Sequence, residues 1–141
     1  MPKSIHKLDI PIQSAAFLGI ACAESIQRFT WLINRIHGTE FSFLDISTTS
    51  AQHLLQPFAT FHFNSEESGH HLLLISTRSE GVNLLPNMKN LDYLFGCIGS
   101  DPDEIISQWN SKLRQIPEVV GCFTLSSERG LLKKLASLLL K

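Results

Sequence analysis

The sequence has little of several features that would place a protein in a specialised class. Its 12 basic and 13 acidic residues leave a formal net charge of −1, and the densest basic stretch is only Lys133-Lys134. Nucleic-acid binding depends on clustered Lys and Arg, so we expect no nucleic-acid partner. No apolar run approaches the roughly 18 residues of a membrane span, so we expect no membrane partner.

The cysteines do not form a recognisable pattern. Cys22, Cys97 and Cys122 each lie in a short apolar run, and none belongs to a Cys-x-x-Cys pair. Buried free thiols are therefore expected, and these are typical of a reducing compartment. Residues 1–7 are polar and lack the apolar segment of a signal peptide. Together these features predict a cytoplasmic location.

Motifs for common cofactors and reactions are also missing. The 8 glycines are scattered, and none of them forms a Gly-rich phosphate loop. No Gly-x-Ser-x-Gly elbow is present to carry a serine nucleophile. We therefore expect no cofactor and assign no catalytic residue.

The sequence does contain enough apolar residues for one ordinary core. Its 141 residues are close to the most common size of a single domain. The apolar fraction of 43% is close to that of an average globular protein, whereas a disordered chain would carry fewer apolar residues and more net charge. We therefore treat residues 1–141 as one domain.

Apolar periodicity predicts a chain of strands and helices. In order, the predicted elements are a strand over residues 15–22, a helix over about 24–37, a strand over 41–45, a hairpin of 58–63 with 71–76, a strand over 91–98, a helix that begins at Pro102, a strand over 119–125 and a final helix that Ser126-Ser127-Glu128 can cap. This order predicts an α+β fold with a mixed, largely antiparallel sheet and helices mainly on one face. The second β-α-β unit is similar to half of a ferredoxin-like fold.

Two helix boundaries have specific signals. Gly38 follows the apolar stripe of the first helix and suits a left-handed C-terminal cap. Asp101 and Pro102 suit the N-cap and first position of the second helix. Glu104 completes a pattern similar to a capping box.

One segment supports a family resemblance. It reads Leu85-Pro86-Asn87-Met88-Lys89-Asn90-Leu91-Asp92-Tyr93, and it resembles the signature of the IPExxxVDY family of bacterial proteins. The preceding Ser79-Glu80-Gly81 and the run Phe17-Leu18-Gly19-Ile20 also match the family in order and spacing. The resemblance covers most of the chain and implies a bacterial origin, but the family is uncharacterised and implies no activity.

Two aliphatic exchanges, at Leu85 and Leu91, are conservative, and the departure that matters is Asn87, where the family has Glu. A carboxylate can act as a general base or metal ligand, whereas an amide cannot act as that base. If the family Glu were catalytic, this chain would have lost the reaction; if it caps a turn after Pro86, Asn serves as well. We favour the structural interpretation, in which Asp92 and Tyr93 fix the entry to a strand. Tyr93 is then expected to bury its ring and hydrogen-bond its hydroxyl.

A second set of polar residues predicts a small pocket near this segment, provided that the first helix packs over the same end of the sheet. A solvated turn beside ordinary polar residues of the helix is the alternative. The candidate ligand-binding residues are Arg28, Asn34, Glu80, Asp92 and Tyr93.

Three histidines on the predicted hairpin are the candidates for a metal. The hairpin places His62 near His70 or His71. A zinc site needs three or four ligands, and no recognised spacing supplies them. We therefore assign no metal site, and half-exposed polar histidines are the alternative.

Two hypotheses for function remain. The first is a non-enzymatic binding or interaction domain that forms a homodimer, since the leucine-rich face of the last helix can pack against a second copy. The second is a small enzyme or a small-molecule- or metal-binding protein that uses the Glu80–Asp92 region or the histidine hairpin. The sequence assigns no substrate or biological process.

Overall fold

The structure is a computed structural model that describes residues 15–44, 58–67, 69–79, 81–83 and 90–125. The predicted final helix, Glu80 and the signature residues 85–89 lie outside this part of the chain. The described elements are β1 (Ala15–Cys22), α1 (Ile26–His37), β2 (Ser42–Phe43), β3 (Thr60–Ser65), β4 (His70–Ser76), β5 (Arg78–Ser79), β6 (Val82–Asn83), β7 (Tyr93–Ile98), α2 (Pro102–Arg114) and β8 (Val119–Thr124).

The predicted α+β class is confirmed. Six strands form one sheet in the order β2-β3-β4-β7-β1-β8, and β5 pairs with β6 in a separate ribbon. The predicted hairpin is β3 with β4, in a register that places Thr60 opposite Ile75. The small β5–β6 ribbon was not predicted, because its strands are too short to show an apolar alternation.

The prediction of a mixed sheet is wrong for the described strands, since every pairing among them is antiparallel. The reason lies in the placement of β1, which lies between β7 and β8 and runs antiparallel to both. The strands β7 and β8 therefore run in the same direction without touching. This arrangement of β7, α2 and β8 is the split β-α-β unit of ferredoxin-like folds.

The helix α1 ends at His37, as predicted, but it begins at Ile26, two residues after the predicted start, because Ser25 is the N-cap. The hydroxyl of Ser25, the N-cap, accepts a hydrogen bond from the backbone N–H of Arg28 at 3.2 Å. Gly38 ends the helix with φ of 68° and donates its N–H to the carbonyl of Asn34 at 2.9 Å. A left-handed backbone of this kind favours glycine, which explains the stop.

The helix α2 begins at Pro102, as predicted, but its N-cap differs from the expectation. Asp101 occupies the N-cap position with φ of 48° and ψ of 55°, and its side chain makes no capping hydrogen bond. A side-chain cap needs an extended backbone at this position, and the left-handed conformation of Asp101 removes that geometry. The acidic residues Asp103 and Glu104 still lie in the first turn, where their negative charges interact favourably with the helix dipole.

The two described helices pack on the same face of the sheet, as predicted. Phe29 and Ile33 of α1 and Trp109 of α2 join the strand residues Leu18 and Phe95 in one buried cluster. The other face of the sheet buries a second cluster, centred on strand residues, which among the described residues includes no helix residue. The sheet is thus buried on both sides.

Candidate functional site

One end of the sheet brings together polar residues that are far apart in the sequence. The strands β1 and β4 end here and β7 begins here, because Ile20 and Ser76 both pair with Tyr93. A pocket of about 350 Å³ opens at this end. We call it the Asp92 pocket, and its lining residues are Cys22, Ala23, Glu24, Ser76, Arg78, Asp92 and Tyr93.

Asp92 is held in place by both its side chain and its backbone. Its Oδ2 accepts a hydrogen bond from the backbone N–H of Cys22 at 2.8 Å, and its Oδ1 pairs with the guanidinium of Arg78. Its backbone N–H donates to the carbonyl of Ile20 at 2.7 Å, and its own carbonyl accepts from the backbone N–H of Thr77 at 3.0 Å. The carboxylate therefore has a fixed position at the floor of the pocket.

Tyr93 matches its prediction of a buried ring and a hydrogen-bonded hydroxyl. The side chain is 5% exposed, and its hydroxyl donates to the backbone carbonyl of Glu24. Its ring packs against Phe29, with the ring centroids 5.0 Å apart. Burial, reinforced by the negative groups around it, raises the pKa of Tyr93 to about 12. The hydroxyl is thus a structural donor that stays protonated at neutral pH.

The thiol of Cys22 faces the same region. Burial is the main cause that raises the pKa of Cys22, and the nearby carboxylates of Glu24 and Asp92 act in the same direction. A hydrogen bond from the backbone of Glu24 lowers the pKa and only partly offsets these effects. A thiol that resists ionisation is a poor nucleophile.

Arg28 lies at the edge of the Asp92 pocket and does not line it. Its Nε is 3.5 Å from Oε1 of Glu24, which lies four residues earlier in the chain, and Glu24 lines the pocket. Both side chains are partly exposed, at 52% and 35%. Exposed pairs of this kind add little to stability, so the pair is free to open when a charged group approaches.

The structure places Asn34 elsewhere. Its Oδ1 accepts hydrogen bonds from the hydroxyl of Thr39 at 2.8 Å and from the backbone N–H of Phe41 at 2.9 Å. Its Nδ2 donates to the carbonyl of Phe41 at 3.1 Å. These contacts fix the loop that follows α1, so Asn34 has a structural role at the other end of the helix. Glu80 lies outside the described residues.

Five lining residues were not singled out as ligand-binding candidates from the sequence: Cys22, Ala23, Glu24, Ser76 and Arg78. In the sequence, Arg78 lies in a polar segment and Glu24 lies just before α1, and neither position carries a local signal for binding. The contact that joins Asp92 to Cys22 spans 70 residues of the chain. A local sequence pattern carries no signal for such a contact. Polar residues at the ends of predicted strands are a general indication of a site, but they do not identify which residues meet.

The hairpin brings together two of the three candidate histidines. His62 Nδ1 lies 3.1 Å from His71 Nε2, whereas the Nε2 of His70 contacts the carbonyl of Ser100. His70 and His71 are consecutive in a strand and so point to opposite faces of the sheet. Burial, followed by the proximity of His62, lowers the pKa of His71. Within residues 15–44, 58–67, 69–79, 81–83 and 90–125, no group of three or more His, Cys, Asp or Glu side chains could hold a metal ion.

A second cavity of about 240 Å³ lies between the end of α1, the tip of the β3–β4 hairpin and α2. His37, Glu66 and Lys112 are among its lining residues. The imidazole of His37 contacts the carbonyl of Lys112 at 2.9 Å, and the ammonium of Lys112 lies 4.8 Å from the centroid of the Trp109 ring. The first contact joins α1 to α2, and the second lies within α2. The Asp92 pocket is the better candidate because its polar groups converge.

Comparison with models of known protein families finds no match, and comparison with curated proteins finds none. Neither of the two helices in the described part of the chain is long and apolar enough to cross a membrane. The Asp92 pocket is therefore interpreted from its own geometry.

Proposed function

We propose that this chain is a non-enzymatic binding domain and that it holds a small polar molecule in the Asp92 pocket. The observation that carries the proposal is the fixed carboxylate of Asp92, which is hydrogen-bonded to the end of β1 and paired with Arg78. The volume of about 350 Å³ lies within the range of small-ligand sites. Such sites combine a mostly preformed cavity with a few precisely placed polar groups.

The chemistry of the lining residues supports binding and not catalysis. The thiol of Cys22 has a raised pKa, and the hydroxyl of Tyr93 has a pKa near 12. An effective general base or nucleophile has a pKa closer to neutrality or an adjacent activating group. The lining also contains the carboxylates of Glu24 and Asp92. Both oxygens of Asp92 already accept hydrogen bonds, and Glu24 is paired with Arg28.

The ligand that fits this lining carries a positive group or several hydrogen-bond donors. Glu24 and Asp92 contribute two carboxylates, whereas Arg78 contributes one guanidinium. A carboxylate offers about four acceptor positions, more than the described contacts of Asp92 use. A small amine or an amino acid satisfies these acceptors, and the carboxylate of an amino acid would lie near Arg78.

Native mass spectrometry of the purified protein tests this proposal directly, because it reports any retained small molecule. A thermal-shift screen with small diamines and free amino acids provides the second measurement. Saturating ligand at about one hundred times its Kd is expected to stabilise the fold by roughly 2.7 kcal/mol. The expected result is a rise in Tm with at least one of these compounds.

The matched variants are Asp92→Asn, which changes the pocket, and Asp103→Asn, which changes an exposed carboxylate of α2. The first is expected to abolish the ligand-induced rise in Tm, and the second to preserve it. A ligand that stabilises wild type and Asp92→Asn equally would contradict the proposed site. Turnover of a bound compound would contradict the non-enzymatic assignment.

We also propose that two copies associate through β8. This strand is at one edge of the described sheet, and it carries no charged residue. Val120 is 84% exposed and Phe123 is 49% exposed. Edge strands are commonly protected by charge or proline, and an apolar edge favours association. Arg114 already donates to the carbonyl of Cys122 at 2.7 Å, so we expect the dimer to be held mainly by side chains.

Light scattering coupled to size exclusion measures the mass in solution and so tests the dimer. Wild type is expected to have twice the mass of one chain, and a Val120→Glu, Phe123→Glu double variant the mass of one. Phe43→Glu, at the opposite edge of the sheet, is the control and is expected to remain dimeric. A monomeric wild type would contradict this part of the proposal.

We also propose that the chain belongs to the IPExxxVDY family, that it is bacterial and that it is located in the cytoplasm. The signature residues Asp92 and Tyr93 support it, since both form the pocket. The free, buried thiols of Cys22, Cys97 and Cys122 agree with a reducing compartment. An alignment of related chains in which Asp92 and Tyr93 vary freely would count against the assignment.

A further inference from the structure

A second surface of this domain has a composition suited to protein recognition, and it is separate from the interior of the Asp92 pocket. Trp31 lies on the solvent face of α1 and is 50% exposed. The guanidinium carbon of Arg28 is 5.5 Å from the centroid of the Trp31 ring, and that of Arg35 is 5.3 Å from it. We call Arg28, Trp31 and Arg35 the Trp31 surface.

The spacing of these residues explains their contact. Arg28 precedes Trp31 by three positions and Arg35 follows it by four, so the three side chains share one stripe of the helix. The stripe is about 10 Å long, from the rise of 1.5 Å per residue. Two guanidiniums in contact with the indole ring hold it in place, so less side-chain entropy is lost when a partner binds.

The charge of the Trp31 surface is positive in a chain that is close to neutral. The helix α1 contains Arg28 and Arg35 and no acidic residue, whereas the whole chain has a net charge of −1. Arg28 makes a loose, exposed pair with Glu24. Among the described residues, no carboxylate lies within salt-bridge distance of Arg35.

We propose that the Trp31 surface binds an acidic protein segment, in which an apolar side chain covers Trp31 and flanking carboxylates pair with Arg28 and Arg35. Trp and Arg are the residue types most enriched among those that dominate interface energies. Guanidinium groups pair with carboxylates in a planar, bidentate geometry, which gives the contact its orientation.

The observations favour a peptide over a nucleic acid. Two guanidiniums neutralise at most two phosphates, which is few for a polyanion whose binding depends on counterion release. The exposed apolar surface between them is the indole ring of Trp31, which is 50% exposed. An acidic segment with an apolar centre complements both features. This inference does not depend on the Asp92 pocket, and either proposal can fail alone.

Fluorescence anisotropy with labelled probes tests the inference on the full chain. The first probe is a synthetic peptide with one central Leu, which is meant to cover Trp31, and Glu residues on both sides of it. The second probe has Gln in place of each Glu. The third is a single-stranded oligothymidylate. The acidic peptide is expected to bind, and the Gln peptide to bind at least about tenfold more weakly, because the charge pairs are lost. Binding of the acidic peptide is expected to weaken as salt is added.

Three variants separate the Trp31 surface from other exposed apolar residues. Trp31→Ala is expected to raise the Kd at least about tenfold, as truncation of an anchor residue does. The Arg28→Gln, Arg35→Gln double variant is expected to remove the salt dependence. Phe43→Ala, an exposed aromatic on β2, is the control and is expected to leave the Kd unchanged. Urea unfolding checks that each variant is folded, and all of these positions are exposed.

Several results would overturn the inference. These are the absence of binding by the acidic peptide at millimolar concentration, an unchanged Kd for Trp31→Ala, and tighter binding of the oligothymidylate than of the peptide. A loss of dimer mass in Trp31→Ala would assign the Trp31 surface to a second copy of the chain instead. Thermal shifts with the pocket ligands are expected to be the same in Trp31→Ala and wild type. Failure of the Trp31 surface to bind peptide can therefore be told apart from failure of the Asp92 pocket to bind its ligand.

Discussion

The carboxylate of Asp92 accepts a hydrogen bond from the backbone N–H of Cys22 at 2.8 Å, across 70 residues of sequence. Cys22 is the last residue of β1, where the sheet stops supplying a carbonyl for its N–H. A side-chain oxygen takes over that role, and the same carboxylate pairs with Arg78 on β5. One residue of the signature thus closes the end of the sheet and forms the floor of the pocket.

Replacing Asp92 by Asn is expected to destabilise the fold. The change removes the charge from the hydrogen bond to Cys22 and from the pair with Arg78, and a charge-assisted hydrogen bond contributes about 1.5–3 kcal/mol. The exposure of Arg78, at 52%, reduces its share, so we expect a loss of about 1–2 kcal/mol. Urea denaturation measures the free energy of unfolding. The control Glu66→Gln, at an exposed turn, is expected to change it by less than about 0.5 kcal/mol.

Tyr93 is expected to make the protein less stable at alkaline pH. Its pKa is raised from 10.0 to about 12 by burial, so the unfolded chain loses the proton before the folded chain does. The contribution to stability is complete below pH 10 and is lost as the pH rises through 12. Because the chain has a single tyrosine, the ultraviolet absorbance of tyrosinate reports Tyr93 alone. A midpoint near 10 in the folded protein would contradict the buried hydroxyl.

The variant Tyr93→Phe provides the comparison. It removes the hydrogen bond to the carbonyl of Glu24 and is expected to lower stability by about 1 kcal/mol at neutral pH. It is also expected to flatten the alkaline loss of stability. If the wild type and the variant lose stability in parallel between pH 10 and 12, another group causes the effect.

The sequence predicts the local elements of this fold well. The strand over residues 15–22 and the end of α1 at His37 agree with the structure, because each depends on an uninterrupted apolar run or on Gly38. The hairpin of β3 and β4 follows from two apolar runs around a polar turn. These signals lie within a few residues of each other, so periodicity is enough to detect them.

The order of the strands and the composition of the pocket were harder to predict. The insertion of β1 between β7 and β8 joins strands that are far apart in the chain, and local patterns do not encode such pairings. Asp92 and Tyr93 were singled out from the signature, but Glu24 and Arg78 reach the same place only through the tertiary fold. The left-handed backbone of Asp101 was equally hidden, because Asp-Pro also suits an ordinary N-cap.

The pair of His62 and His71 is expected to make the protein less stable in acid. Burial, and to a smaller extent the charge of His62, lowers the pKa of His71 from its ordinary 6.5. As the pH falls, His71 is therefore protonated in the unfolded chain before it is protonated in the folded chain. The contribution to stability is complete above pH 6.5 and is lost as the pH falls through the lower pKa of the folded state. Urea denaturation over this range measures it. His71→Gln is expected to flatten the dependence, and His62→Gln to reduce it without abolishing it, since burial is the larger cause.

The thiols are expected to be unreactive in the native protein. Burial raises the pKa of Cys97 to about 12 and that of Cys122 to about 11, and it also raises the pKa of Cys22. The thiolate is the reactive form, so a disulfide reagent is expected to react at least about a hundredfold more slowly with native than with urea-unfolded protein. Unfolded protein is expected to release 3 equivalents of the reagent's thiol, one for each cysteine. Rapid release of one equivalent by native protein would show that one of these thiols is accessible.

Gly96 is expected to tolerate no side chain, because the ring of Phe17 lies directly over it. The two residues are opposite each other in the β1–β7 pair, and a Cβ added at Gly96 would lie 2.8 Å from Cε1 of Phe17. Phe17 is 4% exposed and has no free space to move into. Gly96→Ala is therefore expected to destabilise the protein by about 1–3 kcal/mol, the range for overpacked cores.

Gly121 offers the matched control for this prediction. A Cβ added there would also lie 2.8 Å from an aromatic atom, Cζ of Phe123, but Phe123 is 49% exposed and its ring can rotate into solvent. Gly121→Ala is expected to cost less than about 1 kcal/mol, as most surface substitutions do. The contact distance is the same in both cases, so the difference in the free energy of unfolding measures how firmly the neighbouring ring is held. Equal losses in the two variants would mean that backbone strain, and not the buried ring of Phe17, sets the cost.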